Sequence, residues 1–176
     1  MRKLLVLFLS FTLAFCNCKK NVISNPEKIK KTTIVNSYCP EKGTCTIEIL
    51  ENKNLIIKTD DLGGTYYETE ASNKHDVVIY KFNKNTKEGL YDGSYQEEII
   101  FEINKSANKI SFLNSDLQQT KMIFGRHCYC KGQAGYFKVT NGKLNFNKTK
   151  EEINIDLDFK ITVVPQIINK ITAVIK

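Results

Sequence analysis

The chain is predicted to form an all-β domain, an antiparallel meander of about nine or ten short strands building a β-sandwich or a barrel. Three observations predict it. Apolar residues hold six successive odd positions from Ile153 to Val163, opposed by Asn154, Asp156, Asp158, Lys160 and Thr162. Short runs rich in β-branched residues recur along the chain with turn residues between them. No long stretch of the body carries a helical apolar period.

The elements follow in order. Residues 44–50 place Cys45, Ile47 and Ile49 on one face and Thr46 and Glu48 on the other. Residues 54–59 form a short strand ended by the turn cluster Asp60-Asp61-Leu62-Gly63-Gly64. Residues 76–82 put Val78, Tyr80 and Phe82 on one face and Val77 and Ile79 on the other. In residues 96–103, Ile99, Phe101 and Ile103 point inward and Glu98 and Glu102 outward, with Ile100 out of step. Residues 109–113 repeat the theme with Ile110 and Phe112.

Residues 120–130 read as one long strand bent at Gly125, with Met122, Phe124, Arg126, Cys128 and Cys130 on a common face and His127 and Tyr129 on the other. Residues 136–140 and 143–147 flank Asn141-Gly142, a pair that suits a two-residue hairpin turn. The register of residues 153–163 is firmly specified, because a one-residue slip would expose the whole apolar set. Pro165 suits a strand end. Residues 166–175 read as a last strand, with a terminal helix as the alternative.

Ahead of this domain stands a leader. Arg2 and Lys3 precede an apolar run from residue 4 to residue 13, too short to span a bilayer as a helix and typical of a secretory signal. Leu13-Ala14-Phe15-Cys16 resembles the lipobox of bacterial lipoproteins, with Phe15 where that pattern has a small residue. Acylation at Cys16 competes with ordinary cleavage after Ala14. Residues 1–15 are therefore assigned as signal peptide, 16–31 as a flexible tether and 32–176 as a single β domain. A coil of that length has ends about 20 Å apart, enough to hold a domain clear of a membrane.

Of 26 Lys and Arg against 19 Asp and Glu, the leader removes Arg2 and Lys3, leaving 24 and a net charge of +5. That mild excess is dispersed, with early positives at Lys19, Lys20, Lys28, Lys30 and Lys31 reading as a solvated tether. With no basic stripe in an exported chain, nucleic acid is not an expected partner.

Four cysteines lie in the body: Cys39, Cys45, Cys128 and Cys130. An even number in an exported chain makes disulfides the default. The favoured arrangement joins the first pair to the second, closing loops of about 85–90 residues and stabilising the fold by about 2–4 kcal/mol. The rival joins Cys39 to Cys45 and leaves Cys128 and Cys130 as free thiols.

The densest chemistry is in residues 124–137. His127 with Cys128 and Cys130 offers a metal-binding or thiol/redox alternative, since imidazole and thiolate suit soft ions. In an extended strand, however, His127 points away from both cysteines. A redox motif more usually has two residues between its cysteines, at a helix start. Tyr91, Tyr95, His127, Tyr129 and Tyr136 are the candidate binding residues, as an aromatic groove for a peptide or glycan. A hydrolase would need a cleft bringing His75 or His127 against a carboxylate and a hydroxyl. No cofactor, no metal and no catalytic residue is assigned, and the chain is expected not to be an enzyme. Asp60-Asp61 lacks the alternating acids of a calcium loop and reads as a turn.

The leader, the Lys/Asn/Ile-rich composition and the body carrying Cys128-Tyr129-Cys130 resemble small uncharacterised envelope lipoproteins of Bacteroidota-type bacteria. The resemblance implies an exported, β-rich protein and supplies no activity. In that group acids just after the lipidated cysteine often accompany the outer surface. Asn17, Cys18, Lys19 and Lys20 follow Cys16 instead, which implies a protein facing the periplasm. The expectation is a lipid-anchored envelope protein acting as a non-enzymatic binding module for a protein, peptide or glycan.

Overall fold

The computed structural model describes residues 34–86 and 93–176. The leader, Cys16, the whole tether and Tyr91 lie outside the described residues. The fold is an antiparallel β-sandwich, and among the described residues no barrel closes. The strands are β1 (Ile34–Ser37), β2 (Gly43–Leu50), β3 (Lys53–Thr59), β4 (Thr65–Ala71), β5 (His75–Lys84) and β6 (Tyr95–Asn104). They continue as β7 (Lys109–Leu113), β8 (Ile123–Cys128), β9 (Gly135–Lys138), β10 (Gly142–Lys148), β11 (Ile153–Phe159) and β12 (Lys170–Ile175).

One sheet runs β2-β5-β6-β8-β9 and the other β1-β12-β11-β10-β7. They share one core, in which Tyr80, Phe82, Ile99, Phe101 and Phe124 of the first meet Leu144, Phe146, Ile155, Leu157 and Phe159 of the second. The alternation of residues 153–159 makes this possible, since every odd position faces the opposite sheet.

A third layer explains why Ile100 is out of step. The β3–β4 hairpin lies over the outer face of the first sheet, burying Val77, Ile79, Ile100 and Ile123 with Leu55. That sheet is therefore covered on both faces, and β5 and β6 read as near-continuous apolar runs. Glu98 and Glu102 do point away from the main core, but they are buried beneath this cover instead of reaching water. Glu102 accepts a hydrogen bond from the Leu55 N–H at 2.8 Å, and the Lys121 Nζ donates to the Leu55 carbonyl at 2.8 Å and to Glu102 at 3.0 Å. Together they stand in for a neighbouring strand at one residue, Leu55, on the edge of β3.

Three local expectations are corrected. Asn141-Gly142 is a corner between the sheets and not a hairpin turn, because β9 pairs with β8 while β10 pairs with β7 and β11. Residues 120–130 are not one strand: a 3-10 helix at Asn114–Thr120 ends at Lys121, whose φ is 53°, and β8 begins only at Ile123. The apolar alternation of residues 153–163 outlasts its strand, for β11 ends at Phe159 and Val163 is exposed. The C-terminal segment resolves as a strand, β12.

The cysteine expectation is also corrected. Cys39 is joined to Cys45 and Cys128 to Cys130, with Cα separations of 5.7 and 5.3 Å. Cross-pairing fails because β5 and β6 lie between β2 and β8, putting Cys45 and Cys128 about three strand spacings, or roughly 14 Å, apart. With sequence separations of six and two, the links pin local turns. Closing such short rings removes only about 2 kcal/mol or less of unfolded-chain entropy, less than a link between distant strands.

Candidate functional site

The chemically densest part of the molecule is where β6, β8 and β9 pair. In β6–β8 the register sets Tyr95 opposite Cys128, Gln96 opposite His127, Glu97 opposite Arg126 and Glu98 opposite Gly125. Strand alternation sends Tyr95, Glu97, Arg126 and Cys128 toward the sandwich interior and Glu98 and His127 to the outer face.

On the inner face Arg126 is buried, and its guanidinium is met by neutral acceptors. Nε donates to the Tyr95 hydroxyl at 3.2 Å, and Nη1 to the Gln133 carbonyl and Oε1 at 3.0 Å each and to the Cys130 Sγ at 3.1 Å. Among the described residues no carboxylate makes an ion pair with it. Tyr95 passes the interaction on by donating to Glu97, whose fully buried carboxylate also accepts the Ile167 and Ile168 N–H groups at 2.7 Å. Burial first, then the Glu97 hydrogen bond, pushes the Tyr95 phenol up to about 12.

On the outer face the buried Glu98 Oε1 accepts from the Tyr136 hydroxyl at 2.7 Å and stands 2.9 Å from the His127 Nε2. The Tyr136 ring meets His127 and Tyr67 edge-on at 5.3 and 5.4 Å. Gly125 is what lets them meet. Its register partners are Glu98 and Tyr136, and a Cβ there would stand 2.6 Å from the Tyr136 ring and 2.8 Å from the Glu98 Cγ. The glycine makes room for a ring; the β6–β8 register runs through it without a bulge.

His127 thus has a carboxylate and a hydroxyl nearby, as a hydrolase would need, but both His127 and Tyr136 turn to the same Glu98 oxygen. The Tyr136 phenol is driven well above its ordinary range by burial and then by Glu98, the opposite of an activated nucleophile. His75, for its part, pairs with Asn54 at 3.1 Å, while Asp76 accepts the Asn52 N–H. Asp60 caps its own turn by accepting the Leu62 and Gly64 N–H groups.

For Glu98, burial is the largest single influence and raises the pKa. The hydrogen bonds from His127 and Tyr136, then the charges of His127 and Lys81, outweigh it and hold the group below 4.5. A depressed folded pKa contributes stability that is complete above the unfolded value and lost as pH falls through the folded one. The urea midpoint is therefore expected to drop as pH falls below the ordinary glutamate range, and Glu98→Gln to remove that part of the drop. An unchanged acid slope in the variant would show that Glu98 does not carry it.

The proposed aromatic groove is divided by the sheet. Tyr95 is on the inner face with Arg126, and Tyr136 on the outer face with Glu98. Tyr129 is 86 % exposed beyond the end of β8, so these rings do not share one surface. His127 and the two cysteines likewise part company: the sulfurs are joined to each other and His127 serves Glu98. Among the described residues no cluster of His, Cys, Asp or Glu is arranged to hold a metal. Sequence reasoning missed Glu97, Glu98 and Gln133 as site residues. The available signal was Arg126, whose place on an apolar strand face demands buried acceptors. Comparisons with protein-family models, curated proteins and solved structures returned no match.

Proposed function

We propose that this chain is an exported envelope protein, lipid-anchored through Cys16 and facing the periplasm, whose sandwich is a non-enzymatic binding module for a protein, peptide or glycan. The observation that carries this reading is the pairing of all four body cysteines at one end of the first sheet. Cys45 and Cys128 each sit near the edge formed by Gly43, Lys84 and Tyr95. Such pairs persist in oxidising compartments, which agrees with the leader.

Each pinned turn also presents a tyrosine to solvent: Tyr38, beside Cys39, is 64 % exposed, and Tyr129 is 86 % exposed. Loops held by a rigid sandwich are where such folds carry recognition, and tyrosine supplies area and a hydrogen bond together. This end is the recognition surface in our reading.

Two measurements test it. In a bacterial host fed radiolabelled palmitate, the protein is expected to take up label and sediment with the envelope, and Cys16→Ala to do neither. An unlabelled wild-type protein would overturn the anchor. Photo-crosslinking in envelope fractions is expected to trap a partner that the Tyr38→Ala/Tyr129→Ala double variant loses. Undiminished trapping would overturn the assignment of the binding end.

A further inference from the structure

The loop joining β8 to β9 is folded around a cation, and that arrangement says something about its sulfurs. Cys128 and Cys130 are joined across a single residue, and that residue, Tyr129, stands in solvent. Both sulfur-bearing residues are only partly buried. Cys128 lines an open hollow of about 310 Å³ together with Tyr95, Gln96 and His127. Cys130 carries the contact to the cation, its Sγ 3.1 Å from the Arg126 Nη1. The same nitrogen is held by the carbonyl and side-chain oxygen of Gln133, and the Gln133 N–H returns to the Cys130 carbonyl at 3.1 Å. The guanidinium therefore cannot swing away from the sulfur without unmaking the loop.

A thiolate is stabilised by a nearby fixed positive charge, which the start of a helix supplies in the familiar two-residue-spaced motif. Here the buried Arg126 occupies that role. Arginine stays protonated, and its contacts among the described residues are otherwise neutral, so its charge is available to the sulfur beside it. The two sulfurs are thus unequal: the guanidinium contacts that of Cys130, while Cys128 is the residue that borders the hollow.

We propose that Cys128 and Cys130 form a thiol–disulfide exchange site whose substrate is a dithiol of an extracytoplasmic protein. The substrate thiolate attacks the Cys128 Sγ, forming a mixed disulfide, while the Cys128–Cys130 bond breaks and its electron pair leaves on Cys130 beside Arg126. The second substrate thiolate attacks its own sulfur in the mixed disulfide and releases Cys128 as a thiolate. The substrate is oxidised by two electrons to a disulfide, and Cys128 and Cys130 are left reduced. This site goes beyond the binding reading and does not depend on the lipid anchor.

The test uses the oxidised mature protein with reduced glutathione as probe, quenched with iodoacetamide and mapped by mass spectrometry. The expected result is opening of Cys128–Cys130 while Cys39–Cys45 stays closed, with glutathione trapped on Cys128 and the alkyl group on Cys130. Arg126→Met is expected to slow opening by about tenfold and Arg126→Lys to retain most of the rate, as stabilising the leaving thiolate requires. Glutathione on Cys130, both links opening together, or an Arg126→Met protein opening at the wild-type rate would overturn the proposal. If Arg126→Met fails to fold, the position of glutathione on the wild-type protein decides alone.

Discussion

Replacing Glu97 with alanine is expected to destabilise the fold by about 3–5 kcal/mol, a large share of the stability of a domain this size. The side chain is fully buried, and three separate groups spend their hydrogen bonds on it: the Ile167 N–H, the Ile168 N–H and the Tyr95 hydroxyl. The two backbone donors belong to the segment between β11 and β12, where no strand partner replaces Glu97. Truncation strands the Ile168 N–H in a buried environment and leaves the Ile167 N–H, on a residue that is itself exposed, with only solvent to turn to; a buried unmade bond of this kind costs about 1–3 kcal/mol. It also removes the acceptor through which Tyr95 links Arg126 to a carboxylate. Urea unfolding should show the loss as a lower midpoint with little change in slope. Glu151→Ala, at an exposed position, should stay within about 0.5 kcal/mol of wild type. A Glu97→Ala loss below about 1 kcal/mol would mean that the segment finds other acceptors.

The role of Glu97 is not legible in the local sequence pattern. Period-two alternation in β6 assigns Ile99, Phe101 and Ile103 to the core correctly, and by the same parity Glu97 belongs there too. A carboxylate is tolerated at such a place only if donors come from elsewhere in the chain, and those donors lie about seventy residues away, at Ile167 and Ile168. Local pattern cannot supply that partner. The same holds for Glu98 and Glu102. Their outward parity is legible, but of the β3–β4 hairpin that buries them only β3 shows in the sequence, since β4 is polar along much of its length and carries little apolar signal. The legible trace of the hairpin was Ile100, together with Val77 and Ile79 on the matching face of β5. Apolar residues on both faces of two adjacent strands mean that both faces are covered.

The cysteine pairing depends on the same kind of distant constraint. Sequence spacing allows several pairings, and only strand order separates them. With β5 and β6 between β2 and β8, the four cysteines among the described residues pair locally, Cys39 with Cys45 and Cys128 with Cys130. The residues that best reward a sequence reading were those whose environment is set by near neighbours, such as the odd positions of β11.

Gly142→Ala is expected to cost about 2–4 kcal/mol, and its size tests the corner between the two sheets. An Asn-Gly pair in a free hairpin turn needs glycine only for its backbone conformation, and alanine there would cost about 1 kcal/mol. At the observed corner the demand is double. Gly142 has a φ of 150°, and a Cβ would stand 2.2 Å from the Asp158 carbonyl oxygen and 2.8 Å from the Phe159 Cα. Both obstacles are backbone of β11, which pairs with β10 from this residue onward, so relief requires moving one strand of the second sheet. The approach is fixed from two sides, because the Lys160 N–H donates to the Asn141 carbonyl at 2.9 Å and the Gly142 N–H to the Asn114 side chain at 3.2 Å. Amide hydrogen exchange in Gly142→Ala should rise first in β10 and β11, while the β8–β9 pair keeps its protection. A cost near 1 kcal/mol with protection lost equally from β9 and β10 would restore the hairpin and sink the corner.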